Sequence, residues 1–220
     1  MLKSNCVVRY VVAALTVLLF GAVGDASAQL LNPGFEIDDT SGGDVPCATN
    51  WGCFNDVFTS SQSAPPRSGV NVLKVFGPFG GPGGGAGATQ SLPASPGQTW
   101  VGEIWAQNWS VDPIQGTDFG VYKIEFRDAN GDLAAGGVFG IDVFESNQIN
   151  AATPLDTWTL LGVGTAPAPA GTATAQVVIV KVAVDGANGG SIFWDDASLV
   201  EEVATPVEST TFGRIKQLFY

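Results

Sequence analysis

Beyond residue 28, turn-forming residues break this chain about every ten positions, and the runs between breaks suit strands better than helices. The breakers include Pro65-Pro66, Pro93 to Gly97, Asn130-Gly131 and Pro167 to Gly171, within a total of 29 Gly and 13 Pro. The intervening runs are rich in Val, Thr and aromatic residues, so the chain reads as all-β with little room for helix. Candidate strands are 30–36, 70–76, 98–108, 119–127, 136–143, 157–163, 173–184 and 191–200. About eight antiparallel strands suit a jelly-roll β-sandwich. Gly77 to Ala88, "GPFGGPGGGAGA", reads as a flexible loop without core-forming side chains. It is no phosphate loop, because Ala88-Thr89-Gln90 follows where Gly-Lys-Ser/Thr is needed. Asp128-Ala129-Asn130-Gly131-Asp132 has the start of an EF-hand loop but lacks its closing glutamate, and a hairpin turn is the better reading.

The N-terminus has the layout of a secretory signal: Lys3 and Arg9, an apolar run from Val11 to Val23, then Ala26-Ser27-Ala28. That run is too short for a membrane anchor, which needs roughly 20 apolar residues. The expected mature chain begins at Gln29, is secreted to the exterior or cell surface, and does not insert into a membrane. Residues 29–201 are expected to be one monomeric domain, with 202–220 a polar linker and a short amphipathic tail. Removing the signal leaves seven basic and twenty acidic residues, a charge of −13, which opposes nucleic acid and anionic membranes. Cys6 leaves with the signal, and the remaining pair, Cys47 and Cys53, invites a disulfide in an exported chain. The chain has no histidine, so Ser-His-Asp and Cys-His nucleophile systems and His-based metal hydrolysis are excluded in their usual form.

Side chains alternate between the faces of a strand, so the faces can be read from parity. From Gln98 to Trp109, Trp100, Gly102, Ile104 and Ala106 look like core. Glu103, Trp105, Gln107 and Trp109 then share the other face, a mixture of flat rings and polar groups that suits the apolar face and the hydroxyls of a sugar. In 119–127, Tyr122, Ile124 and Phe126 face inward, leaving Lys123, Glu125 and Arg127 outward. If the two strands are neighbours, all these outward residues form one patch. Lys123, Glu125 and Arg127 also read as a solvated, ion-paired ladder. Near the end of the chain, Phe193, Ala197 and Leu199 mark an inward face that would include Asp195. A carboxylate buried there needs a cation or a set of hydrogen bonds. The first segment, Asn32-Pro33-Gly34-Phe35-Glu36, supplies a second carboxylate, and pairing of the chain's two ends would suit Ca²⁺.

The ordered segments "LLNPGFE", "SGVNVLKV", "PGQTWVGEIWA", "IEFRDANG", "DTWTLLGVGTAPAPAGTATAQVVI" and "FWDDASL" resemble a carbohydrate-binding module of the galactose-binding-like jelly-roll type, from about Leu30 to Leu199. The resemblance implies a structural Ca²⁺ on Glu36 and Asp195, with Asp196 as second choice. Backbone oxygens of Gly34 and of the Arg67-Ser68 stretch would help. It also implies a polysaccharide as partner on the concave sheet and core roles for Trp51, Trp100 and Trp158. The leading expectation is a secreted, non-catalytic glycan-binding protein. A cell-surface or matrix adhesive protein is the alternative, and it would give the C-terminal tail a sorting or docking partner. A glycosidase or lyase built on Glu103 and Glu125 is a third, needing carboxyls roughly 5 to 9.5 Å apart.

Overall fold

The computed structural model describes residues 29–39, 47–59, 64–79, 81–186 and 189–202. Residues 1–28, expected to be a secretory signal, and the expected tail from residue 203 onward lie outside them. Glu202 still belongs to the domain, donating its amide to Thr99 O at 2.8 Å.

The described residues form thirteen strands and no helix: β1 (Asp38–Asp39), β2 (Cys47–Ala48), β3 (Gly52–Phe54), β4 (Val57–Thr59), β5 (Leu73–Val75), β6 (Gly84–Pro93), β7 (Trp100–Gln107), β8 (Phe119–Arg127), β9 (Val143–Glu145), β10 (Ile149–Asn150), β11 (Trp158–Gly164), β12 (Thr174–Ala183) and β13 (Ile192–Glu201). A six-stranded sheet runs β10-β8-β12-β6-β3 with β9 also on β8, and a five-stranded sheet runs β11-β7-β13-β5-β4. Ile104, Trp100 and Trp194 from the second sheet meet Tyr122, Ile124, Phe126, Val177 and Ile179 from the first in one core. Burial of these side chains, each worth about 1.5–3 kcal/mol, holds the two sheets face to face. The chain is therefore the all-β sandwich that its turn spacing predicts, and the disulfide forms between Cys47 and Cys53, with Cα atoms 5.9 Å apart. Trp51 and Trp100 are core residues, at 7% and 2% exposure. Asp128 to Asp132 is a turn, with the Asp128 carboxylate accepting the amides of Asn130 at 2.8 Å and Asp132 at 3.0 Å.

Several expectations are corrected. The glycine-rich stretch is only partly a loop: β6 starts at Gly84 and lies between β3 and β12, with Ala86 and Ala88 fully buried. Small residues are required there, since a Cβ on Gly87 would lie 1.8 Å from Ile179 O and 3.0 Å from the Phe54 ring. Residues 30–36 form a turn, with Asn32 and Phe35 at φ 50° and 57°, although Phe35 is buried against Trp51. Residues 136–142 form a loop in which Gly136, Gly137 and Gly140 have positive φ. Buried Asp142 organises it, accepting amides from Ala135 (2.6 Å), Gly137 (3.0 Å) and Val138 (2.6 Å). These bonds hold its carboxyl below the usual carboxylate range, outweighing the upward push of burial. Asp142→Ala is expected to unlock this loop and cost about 2–4 kcal/mol, read from thermal denaturation.

The parity of the last strand also changes. Between Asp195 and Ser198, β13 advances three residues while β7 advances two, from Trp105 to Glu103. This bulge, with Asp196 at φ 50°, reverses the faces. Trp194 points into the core, as do Ala197 and Leu199 beyond the bulge, whereas Phe193 and Asp195 lie on the outer face beneath the 64–72 segment.

Candidate functional site

Alternation along β7 puts Ile104 and Ala106 in the core and turns Glu103 and Trp105 to the outer face of the five-stranded sheet. In register, Trp105 lies between Leu160 of β11 and Asp195 of β13, and Glu103 between Gly162 and Ser198. Glu103 is exposed, Trp105 is half-buried and Leu160 is exposed. Gly162 and Gly164 carry no side chain on this face; a Cβ at Gly164 would meet nothing within 4 Å, and one at Gly162 would meet Glu103 Cγ only at 3.8 Å. The result is an open surface along the edge strand β11, bare at Gly162 and Gly164, with Leu160 exposed on it and a wall of Trp105 and Glu103 on one side.

Arg67 completes the wall. Its guanidinium carbon lies 4.1 Å from the centre of the Trp105 ring, and the same group forms an ion pair with Asp196. At a surface site such stacking contributes about 0.5–1 kcal/mol. Its backbone is fixed as well, because the amides of Arg67 and Ser68 donate to Asp195 Oδ2 at 2.9 and 3.1 Å. The family resemblance implies only a backbone oxygen from the Arg67-Ser68 stretch; here the Arg67 amide and side chain act instead. An arginine between Pro65-Pro66 and Ser68-Gly69 carries no local signal of what it will stack upon.

Gln107 and Trp109 continue the same face but are covered. Gln107 is 5% exposed, and its Oε1 has no hydrogen-bond partner among the described residues. Trp109 packs edge-on to Phe193, ring centres 5.5 Å apart, in a second cluster with Ala64, Val72 and Trp158. Trp158 therefore packs outside the main core. Lys123, Glu125 and Arg127 are elsewhere. They sit on β8 in the other sheet, so their outward face looks away from Trp105 and the single patch of seven residues does not form. There Lys123 pairs with Glu145 and Arg127 with Glu125. Sheets pack about 10 Å apart, and Glu103 and Glu125 point outward from opposite sheets, so the carboxylate pair of the glycosidase reading is not assembled.

The residues expected at the chain's two ends do gather. Ala197 N donates to Pro33 O at 2.9 Å, stitching the first segment to β13. Glu36 accepts the amide of Val70 at 3.1 and 3.0 Å and that of Asn71 at 3.4 Å. Gly69, at φ +60°, makes this possible, because a Cβ there would lie 2.0 Å from Glu36 Oε1. Asp196 accepts the Ser68 hydroxyl at 2.7 Å, and Asp195 Oδ1 accepts the Asp196 amide at 2.8 Å. A Cβ on Gly34 would stand 3.6 Å from Asp196 Oδ1 and 3.8 Å from Asp195 Oδ1. Burial, reinforced by the neighbouring Asp196 charge and only partly offset by the amides, pushes the Asp195 carboxyl up to about 6. The donor chemistry, three carboxylates around a glycine, fits a hard cation. Among the described residues, however, no three acidic, Cys or His side chains converge tightly enough to hold one. Amide hydrogens and the Arg67 guanidinium fill the cluster, so a cation would have to displace some of them.

No family model matches the chain, and no curated protein matches it. Solved structures do. An arabinose-bound α-L-arabinofuranosidase aligns at 17% identity and TM-score 0.56, over 84% of this chain and 28% of its own. A cyclase from Fischerella sp. TAU aligns at 15% identity and TM-score 0.54, over 82% and 100%. The CBM22-1 xylan-binding domain from Paenibacillus barcinonensis aligns at 13% identity and TM-score 0.48, over 78% and 93%. At such identities the likeness concerns the β-sandwich fold alone. No helix among the described residues is long and apolar enough to cross a membrane.

Proposed function

We propose that this protein is a secreted, non-catalytic polysaccharide-binding domain whose site is the outer face of the five-stranded sheet. One observation carries the reading: the row Arg67, Trp105 and Glu103 stands beside a strand edge left bare by Gly162 and Gly164. An indole offers surface to the CH face of a sugar, while the guanidinium and carboxylate donate to and accept from its hydroxyls. This open surface on an edge strand suits the interior of a chain better than a buried end unit. The disulfide agrees with an exported protein, and the hydrogen bond from Ala197 N to Pro33 O agrees with a staple between the first described segment and β13. Calcium belongs to this reading as a proposal: Glu36, Asp195 and Asp196 would have to exchange amide and guanidinium partners and draw closer together to hold it, and it would neutralise charge at the staple. Its check is thermal denaturation in calcium and in chelator, with calcium expected to raise the midpoint by several degrees.

Native affinity electrophoresis through gels cast with different polysaccharides tests the site. Retardation by at least one glycan is expected, and Trp105→Ala should weaken it about 30-fold, the effect of losing a central aromatic contact. Unchanged retardation in that variant would move the site elsewhere.

A second reading, an adhesive or matrix protein, is favoured by one feature. Val138, Phe139 and Ile141 are exposed, at 44%, 67% and 47%, on the loop that Asp142 holds rigid. Tryptophan fluorescence with soluble glycans separates the two, because only the glycan reading requires Trp105 to respond.

A further inference from the structure

We infer that Arg67 is a ligand-contacting and specificity-determining residue, selecting uncharged polysaccharide through a guanidinium fork held over the Trp105 ring; this rests on the glycan reading of that face. Three anchors fix the fork. The Arg67 amide is tied to Asp195 Oδ2 at 2.9 Å, one terminal nitrogen is paired with Asp196, and the guanidinium carbon lies 4.1 Å over the indole. Its side chain is nevertheless 35% exposed. The guanidinium has five N–H donors in a rigid plane, and the ion pair engages only one nitrogen. No other hydrogen-bond acceptor for the guanidinium is found among the described residues. Its remaining donors are thus free to take two neighbouring hydroxyl oxygens on one sugar. Because stacking and backbone anchoring have already ordered the side chain, little freedom remains to be lost when the ligand arrives.

The charges around the fork choose the ligand class. Asp196 already neutralises Arg67, and Lys74, a second cation on this face beside Phe193, is paired with Asp112. Glu103 is exposed on the same face, Asp195 and Glu36 lie behind, and the chain as a whole carries a net charge of −12. A uronate-bearing chain would meet this field as a like charge and would have to displace Asp196 to reach the guanidinium. A neutral chain meets the fork as donor and Glu103 as acceptor, which matches the two roles of a hydroxyl group.

Lysine tests the fork without removing the charge. Arg67→Lys keeps a cation for Asp196 and the backbone amide for Asp195 but has no planar fork. Wild type, Arg67→Lys, Arg67→Ala and Trp105→Ala would be run through gels cast with arabinoxylan, β-1,4-galactan, mixed-linkage β-glucan or polygalacturonate. Near-UV circular dichroism would verify that each variant is folded. Wild type should be retarded by at least one neutral gel and not by polygalacturonate. Both Arg67 variants should lose about tenfold or more in affinity, as expected for hydrogen bonds to a charged group. Wild-type affinity in Arg67→Lys would overturn the fork. Tighter binding in Arg67→Ala would overturn it differently, making the guanidinium a cover over the ring. Retardation by polygalacturonate would overturn the selectivity. Absence of retardation of wild type by every gel would overturn the glycan reading and this inference with it, whereas loss in Trp105→Ala but not in the Arg67 variants would overturn this inference alone.

Discussion

Lys181→Met is expected to lower the midpoint of thermal unfolding by roughly 6–20 °C, the consequence of about 3–5 kcal/mol in a domain of this size. Lys181 lies on the inward face of β12, 1% exposed, and its ammonium is 2.6 Å from Asp118 Oδ2, itself fully buried. Its cross-strand neighbours are Ala86 and Gly120, small residues that leave room for a long side chain between the sheets. Methionine fills much the same volume, so the loss comes from leaving the Asp118 carboxylate buried without its ammonium. The double variant Lys181→Met, Asp118→Leu should recover most of the loss, since an apolar pair can replace a buried ion pair at little cost. A double-mutant cycle in urea reads the coupling directly. A single-variant midpoint within about 3 °C of wild type would show that the pair is solvated in solution.

The elements visible in the sequence were those whose pattern is local. In β7 and β8 apolar and polar residues alternate, and their faces emerge as parity predicts: Ile104 and Tyr122 inward, Glu103 and Lys123 outward. Strand β6 was hidden because its small residues look like a linker, although they are small to let β12 and the Phe54 ring approach. The bulge at Asp195 was hidden because one extra residue leaves no mark in composition, yet it turns Asp195 from the core to the outer face. Sheet membership was the largest gap. Strands β7 and β8 are consecutive in the chain, but residues 108–118 carry it from one sheet to the other. Nothing in that connection specifies a crossover, and the expected patch was divided between two sides of the sandwich. Arg67 could not be found at all by pattern, since its role depends on a ring 38 positions away.

Asp195→Ala is the other substitution with a large expected effect, a loss of about 3–5 kcal/mol measured by denaturant unfolding. The carboxylate accepts the amides of Arg67, Ser68 and Asp196 in a partly buried place, where each orphaned donor costs up to about 1–3 kcal/mol. Water reaching the vacated space should spare part of that sum. The 67–71 turn would loosen, and Arg67 would lose its backbone anchor beneath Trp105, so glycan retention should weaken with stability. A pH series isolates the charge itself. The folded carboxyl sits at about 6, above the ordinary value of 3.8 that applies in the unfolded chain, so the folded state holds this proton more tightly. Its contribution is therefore fully present below pH 3.8 and is lost as pH rises toward 6, by no more than about 3 kcal/mol. Asp112, Asp128 and Asp142, all held low, act in the opposite sense and only as pH falls below about 5, so the window between pH 5 and 6 reads Asp195 most cleanly. In chelator, wild-type stability should decline across that window and Asp195→Asn should be nearly flat. A bound calcium ion favours the ionised carboxylate and should remove the wild-type decline, whereas a decline unaltered by calcium would mean that the amide cage, with Arg67, is the whole of the staple.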